Sequence, residues 1–318
     1  MPLYLNTATI QQMLTMPMAL TLVERALHDR AVKSAIDIPR ARTQTPAGIQ
    51  HVLQAAAPEL GYIGFKYYYT GKGGSSSYLH LIDMHSGQLA AIIESGWLGM
   101  IRTGAATGIA SRTLANPGAS ILGQIGAGYQ GMGQLEAVCT ALPIREARVY
   151  ARSRDKLEAW CAQMSAQLGI PVMPAESGPA ALAGAHIVNV ITRSVTPVID
   201  GDWLEPGQHV NAAGSNALDR REIDSKTIAR AALISVDSKA TARNECGDLL
   251  PAIEQGQLHW DALTEIGDIM VGRAPGRAKS EDITLYQSHG MGIQDLYVGI
   301  ALLAIAQREG LGSMLAMA

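Results

Sequence analysis

Cysteine is scarce. Cys139, Cys161 and Cys246 are far apart in a chain of 318 residues, and no CxxC spacing links any of them. An odd, scattered set gives no disulfide framework and reads as buried or idle thiols in a reducing compartment. Cys246 in "NECGD" falls under the same structural reading rather than that of a nucleophile. A basic excess is also missing: 25 Lys and Arg stand against 28 Asp and Glu, a net charge of −3. That balance provides no field for a phosphate backbone, so nucleic acid is excluded as the expected partner. No uncharged apolar run reaches the roughly 20 residues of a membrane span. The start, "MPLYLNTATIQQML", lacks a basic segment followed by an apolar core. A cytoplasmic protein without membrane contact is the expectation. His51, His80 and His85 have no HxxxH spacing or carboxylate companion, so they read as core or turn histidines and no metal site is expected. Phenylalanine appears once, whereas alanine and glycine abound. That balance is common in α/β proteins with closely packed elements. With 47% apolar and 17% charged residues, the chain can bury substantial cores, as one large domain or two modest ones.

Apolar spacing over 7–33 predicts a helix or helix pair broken near Pro17. From about 36 to 95 the texture is β-rich. "IGFKYYYTG", "SYLHLIDM" and "QLAAIIES", separated by "KGGSS" and "HSG", read as an antiparallel meander. "SGWLGMIRTGAATGIASRTLA" is a small-residue helix ended by "NPG" at 116–118. Beyond it strands and helices alternate: "SILGQIG", helix 129–141, "ARVYAR", helix 154–168, "IPVM", helix 178–184 and "HIVNVIT". "HVNAAG" and "LISVD" fit further strands, and "GMGIQDLYVGIALLAIAQREG" a closing amphipathic helix. Alternation implies parallel strands with right-handed crossovers. The expected fold is α/β: a Rossmann-type, doubly wound dinucleotide-binding domain over 116–289, inserted into a β-rich α+β substrate and dimerisation domain made from 1–115 with 290–318.

Five glycines crowd into "ILGQIGAGYQGMGQ", and Gly126-Ala127-Gly128-Tyr129-Gln130-Gly131 spells GxGxxG after a strand and before a helix. Gly126 permits a tight turn, Gly128 leaves the backbone open to a pyrophosphate, and Gly131 lets helix and strand pack closely. The helix start then offers free N–H groups and the positive end of its dipole. At the end of the next strand, where NAD-binding folds place an acid for the ribose 2′-hydroxyl, stand Ala151, Arg152, Ser153 and Arg154. Without a carboxylate to repel a 2′-phosphate, and with guanidinium and hydroxyl donors to hold one, NADP(H) is favoured over NAD(H).

Arg42 in "IPRARTQTP", Lys66 in "YIGFKYYYTG" and Arg102 in "GMIRTGAATG" are cations in apolar or small-residue settings on three separate elements. Such charges need an anion, and a guanidinium fork grips a carboxylate with two parallel hydrogen bonds. A surface charge, or a salt bridge to one of the chain's own acids, is the alternative reading for each.

"GFKYYY", "MIRTGAATGIASRTLA", "GQIGAGYQGMGQLEA", "VYARSRDK", "HVNAAGSNALDRREID" and "SEDITLYQSHGMGIQDLYVG" occur in the order seen in the ornithine cyclodeaminase/μ-crystallin family, which this chain resembles over nearly its whole length. The resemblance implies a homodimer and hydride exchange between nicotinamide and the α-carbon of an amino or imino acid. It implies that Arg42, Lys66 and Arg102 hold the α-carboxylate, with Lys66 nearest the C–N bond and Arg40 one register slip from Arg42. Thr103 would touch the pyrophosphate, Thr192 and Asp237 would border the nicotinamide, and Ser288 and Gly290 would belong to the loop over the reacting ring. His289 of that loop is a candidate proton donor.

The chain departs from the cyclodeaminase pattern in one turn. The aspartate of its "GGD" is replaced in Gly214-Ser215-Asn216, and the amide of Asn216 cannot act as a base near neutrality. The glutamate upstream of the lysine is also missing, with Gln54 or alanines in "LQAAAPEL". The expected activity is therefore reduction of an imino acid to an α-amino acid, with Lys66, Arg102 and Asn216 at the reacting centre. Cyclic ketimines such as pyrroline- or piperideine-2-carboxylate fit, as do imines of keto acids. Two alternatives stand beside it. One is an amino-acid dehydrogenase or ornithine/lysine cyclodeaminase releasing ammonia; the other is a non-catalytic NADPH-binding protein. Asp248 in "ECGD" and Asp268 in "EIGD" read as helix caps, and the four tryptophans as packing.

Overall fold

The computed structural model describes residues 1–316. Strand β1 (Leu3–Leu5) leads into α1 (Thr7–Met13) and α2 (Met16–Ala31). Asn6 and Thr15 cap the two helices through their side chains. The break thus precedes Pro17, which occupies the first turn of α2, where its missing N–H costs nothing. Four long strands and a shorter one follow: β2 (Ile36–Thr45), β3 (Gly48–Ala57), β4 (Tyr62–Gly71), β5 (Gly74–Asp83) and β6 (Leu89–Glu94). Helix α3 (Gly96–Leu114) ends at the Asn-Pro-Gly turn. Then come β7 (Ile121–Ile125), α4 (Tyr129–Ala141), β8 (Glu146–Tyr150), α5 (Arg154–Leu168), β9 (Val172–Pro174), α6 (Gly178–Leu182), β10 (Ile187–Val190) and β11 (His209–Ala212). The remainder comprises α7 (Ser225–Arg230), β12 (Ala231–Val236), α8 (Lys239–Glu245), α9 (Leu250–Glu254), β13 (Thr264–Glu265), α10 (Ile266–Met270), β14 (Ile283–Gln287), α11 (Gly292–Glu309) and β15 (Ser313–Met314).

The chain divides into two compact units, Met1–Arg102 with the segment from Gly290 onward, and Thr103–His289. The first division lies inside α3 rather than at the Asn116-Pro117-Gly118 turn, because the helix continues unbroken to Leu114 and only its end answers to the proline.

The discontinuous unit is built on a seven-stranded sheet, β15-β1-β6-β5-β4-β3-β2, antiparallel except where β1 runs beside β6. Alternation assigns Gly64, Lys66 and Tyr68 of β4 to one face and Ile63, Phe65 and Tyr67 to the other. Helix α11 packs on the first face, with α2 against it, and Tyr297 of α11 donates to Asp29 of α2 at 2.7 Å. The opposite face carries Ile36, Ile38 and Ile63, all exposed, beside Phe65 stacked on His80.

The inserted unit is a wholly parallel eight-stranded sheet, β13-β12-β14-β11-β10-β7-β8-β9. Its strands feed cores on both faces: Leu122 and Ile187 enter one, Val188, Val190 and Val210 the other. That is the burial expected of a parallel sheet covered by helices on each side. Strand β7 lies between β8 and β10, so the strand order reverses there. Such a switch point is where doubly wound folds take their ligand. Among the described residues no helix is long and apolar enough to cross a membrane.

Candidate active site

Two polar centres stand out, one in each unit. In the discontinuous unit Lys66 projects from β4 and is almost fully buried, and Arg102 projects from α3 with similar burial. Both reach the same oxygen of Asp295: Lys66 Nζ donates to Oδ1 at 2.9 Å and Arg102 Nε at 3.0 Å. Arg102 Nη1 also donates to Gln294 Oε1 at 2.8 Å. Asp295 occupies the first turn of α11, where the helix dipole favours a negative charge. Two buried cations thus share one carboxylate oxygen, and a positive charge is left over. Burial drives the Lys66 ammonium down, as do Arg102 and Arg40, while Asp295 pulls it up; the balance brings it to about 8.

Tyr68 completes this centre. Its ring stacks on His51 at 4.2 Å, and the Arg40 guanidinium carbon and Lys66 Nζ lie 5.7 and 5.9 Å from its centroid. Of the two arginines on β2, Arg40 is the buried one and Arg42 is exposed. The register of β2 shifts between Ile38 and Ala41, and the irregularity brings Arg40 over Tyr68. Arg42 pairs across the ladder with His51, whose imidazole is lowered to about 4 by burial and by these two arginines. His51 is therefore neutral near pH 7.

Gly290 packs against the same arginine. Its φ of 77° is left-handed, and a side-chain carbon there would collide with the Arg102 guanidinium. Gly290, expected in the loop over the reacting ring, thus lies against the Arg102 guanidinium.

The second centre is the turn after β7. Gly126 has a φ of 116°, open to glycine alone, and any side chain there would strike the Ile191 carbonyl oxygen. Gly128 is the N-cap of α4, with open space beside its Cα and no side-chain cap on the helix N–H groups. Tyr129 and Gln130 form the first turn, Tyr129 exposed, and Gly131 packs against the Gly126 carbonyl. A helix start without a side-chain cap and with room at the second glycine fits a dinucleotide pyrophosphate. Thr103 lies on α3, beside Gly104, which abuts the Gly133 carbonyl of α4.

The turn is held from below by Gln124. Its amide donates to Gly126 O at 2.9 Å and Gly131 O at 3.1 Å and accepts from Asn189. Asn189 in turn accepts from Asn211, which also donates to Ser111 at 2.9 Å. A polar row thus crosses β7, β10 and β11 in register. A glutamine and two asparagines inside apolar strands were the available signal, because buried amides need partners.

Arg152, Ser153 and Arg154 follow β8, and the carbonyl of Tyr150 accepts from Gly126 N at 2.9 Å. They differ in engagement. Arg154 is forked onto Glu176, with Nη2 to Oε1 at 2.7 Å, whereas the exposed guanidinium of Arg152 has no ion-pair partner among the described residues. Ser153 is the N-cap of α5 but makes no capping bond.

Thr192 follows β10, and Asn216 lies half-buried in the loop after β11. Asp237, fully buried after β12, accepts from the Tyr286 hydroxyl, from His289 N at 2.6 Å and from Ser288 Oγ at 3.4 Å. It therefore anchors the segment after β14. Asp248 is not a helix cap: its Oδ1 accepts from Glu222 N at 2.6 Å and Ile223 N at 3.1 Å. Asp268 lies within the first turn of α10 and pairs with Arg273. Burial raises all three thiols, as befits unreactive cysteines. Among the described residues no cluster of three or more His, Cys, Asp or Glu could hold a metal.

The family model for ornithine cyclodeaminase/mu-crystallin matches residues 2–303. The chain belongs to that family. Among its members, the chain is 34% identical over 244 residues to a Delta(1)-pyrroline-2-carboxylate reductase of Bacillus cereus, covering 76% of this chain and 75% of that protein. Its fold is similar to the Delta(1)-pyrroline-2-carboxylate reductase of Thermococcus litoralis solved with NADH and L-proline, with a TM-score of 0.94 and 28% identity over 98% of this chain and all of the other. It is also similar to an archaeal alanine dehydrogenase dimer with bound NAD, with a TM-score of 0.93 and 26% identity over 99% of each chain. In family terms Asp295, Gln294 and Gln124 are additions to the residues the resemblance implied. Asp295 had a signal of its own: a lone acid in the apolar run "GIQDLYVG" must meet a cation if it is buried.

Proposed function

We propose that the protein reduces the C=N bond of a small imino acid to an α-amino acid with NADPH, and that cyclic ketimines such as pyrroline-2-carboxylate are substrates. The observation that carries this reading is the Lys66–Asp295–Arg102 triad, which leaves one buried positive charge for one carboxylate. Arg102 offers the guanidinium fork, and Arg40 rather than Arg42 is the second arginine of the clamp. Bound nicotinamide supplies the hydride to the α-carbon. Lys66 donates a proton to the nitrogen, so the C=N π pair becomes an N–H bond as the hydride forms C–H. The lysine then regains its proton from solvent. With its pKa near 8, Lys66 is mostly charged at neutrality yet close enough to give the proton up.

Gly126, Gly128, Gly131 and the start of α4 are the residues for the pyrophosphate, with Thr103 beside them. Arg152 and Ser153 are the 2′-phosphate donors that favour NADPH over NADH, since Arg154 is engaged by Glu176. Thr192, Asp237 and Ser288 border the nicotinamide in this reading. Asn216 in place of an acid disfavours ornithine cyclisation. The exposed Ile36, Ile38 and Ile63 on the sheet's outer face fit a homodimer contact, in keeping with the relative solved as a dimer. Use of a nicotinamide cofactor and three free thiols fits a cytoplasmic setting.

The test is direct. Purified protein with NADPH or NADH is offered pyrroline- and piperideine-2-carboxylate and keto acid–amine mixtures, and loss of reduced-nicotinamide absorbance is followed. Turnover of an imine with a lower KM for NADPH is expected. No imine turnover, together with ammonia release from ornithine, lysine or alanine and oxidised cofactor, would establish the deaminating alternative instead.

A further inference from the structure

Glu222 is fully buried, and among the described residues no ion pair engages it. Its two carboxylate oxygens are spent on two different loops: Oε1 accepts from Thr192 N and Oε2 from Gly214 N, the latter at 2.5 Å. Each N–H lies two residues past a strand, Thr192 after β10 and Gly214 after β11. The backbone of Glu222 is fixed as well. Its N–H donates to Asp248 at 2.6 Å, and its carbonyl accepts from Val198 N at 2.9 Å. The side chain is thereby aimed into the gap between the two loops.

All strands of this sheet are parallel, so both loops emerge at the edge that carries the glycine turn after β7. A dinucleotide anchored at that turn lays its adenosine half toward β8 and its nicotinamide half over β10 and β11. We propose that Glu222 is a positioning residue for the nicotinamide half of the cofactor, clipping the loops at Thr192 and Gly214 into the surface that receives the ring. The inference rests on the cofactor reading above and adds a residue to it. Burial pushes the Glu222 carboxyl up to about 7. A side chain needed only to fill space would carry no such desolvation penalty.

The fragment that separates the two halves is ADP-ribose, with or without a 2′-phosphate, which has the phosphates and adenosine but no nicotinamide. Affinities for NADPH and for the fragment are measured by fluorescence on wild type, Glu222→Gln and Gly214→Ala. In Glu222→Gln one acceptor becomes a donor facing a backbone N–H. Gly214→Ala keeps the carboxylate but drives a methyl group into Glu222 Oε2 and the Thr192 carbonyl, so it reads the same ratio even where Glu222→Gln fails to fold. Each variant is expected to bind NADPH roughly tenfold more weakly, the loss of about one charge-assisted hydrogen bond, while fragment affinity stays within about twofold. In both, kcat should fall while the KM for the imine holds. Equal weakening of dinucleotide and fragment, or of neither, overturns the assignment to Glu222. Wild-type protein that binds neither ligand overturns the cofactor reading itself.

Discussion

Replacing Asp295 by asparagine tests the buried triad where its electrostatics are most exposed to measurement. The side chain keeps its shape but loses the charge that Lys66 and Arg102 share. Of a guanidinium and an ammonium only the ammonium readily gives up a proton, so the imbalance is relieved by deprotonating the lysine. Removing one member of a buried ion pair costs about 3–5 kcal/mol, and about 1.4 kcal/mol corresponds to one pKa unit. Taking the lower end, the Lys66 pKa should drop by about 2 units from its value near 8. A general acid works only while protonated, so kcat/KM should fall as pH rises through the lysine pKa. In wild type that limb lies near 8, and in Asp295→Asn it should shift to roughly 6. The assay is the initial rate of NADPH oxidation with pyrroline-2-carboxylate over roughly pH 5–10. The substrate's own protonation is common to both proteins, so only the displacement between profiles is read. An identical limb in both, at any pH, would refute the role of the triad.

Three further outcomes follow from the same geometry. Gly126→Ala forces a side chain into a glycine-only conformation, with about 1–3 kcal/mol of strain before the collision with Ile191; NADPH titration should show at least a tenfold weaker complex, roughly what that strain costs. Arg152→Ala should raise the KM for NADPH about tenfold and leave that for NADH within about twofold, since only the 2′-phosphate contact is lost; equal effects on both would remove Arg152 from cofactor selection. Gln124→Leu strips two hydrogen bonds from the glycine turn, each worth about 1 kcal/mol, so a lower Tm with weakened NADPH binding is expected by scanning calorimetry and titration.

Much of the architecture was legible because the inserted unit announces itself twice, by alternation of element types and by the glycine turn. Helices 129–141 and 154–168 match α4 and α5. Strand β14 was not legible. Its "ITLYQ" is short and separated from the preceding helix, α10, by residues 271–282, so no adjoining helix marks a crossover before it, yet it fills the place between β11 and β12. The site divides similarly. Lys66 and Arg102 could be picked out as cations in apolar settings, but their partner Asp295 lies far along the chain and only tertiary packing pairs them. Arg42 and Arg40 could not be separated by spacing, because a two-residue step returns a strand to the same face. Burial distinguished them only once the bulge in β2 was seen. Glu222 lies within the stretch "HVNAAGSNALDRREID", but nothing in its spacing gave it a role, since what it binds is backbone.

The late position of β14 has a consequence for synthesis. Residues 283–287 are the central rung that joins β12 and β13 to the rest of the parallel sheet, and α11, which covers the other unit's sheet, follows immediately. Neither half can close until the ribosome has delivered residues 283 onward. Until then the edges of β11 and β12 are open templates for mispairing, a situation in which nascent chains rely on holding factors. Premature termination anywhere before residue 283 therefore leaves both units unfinished.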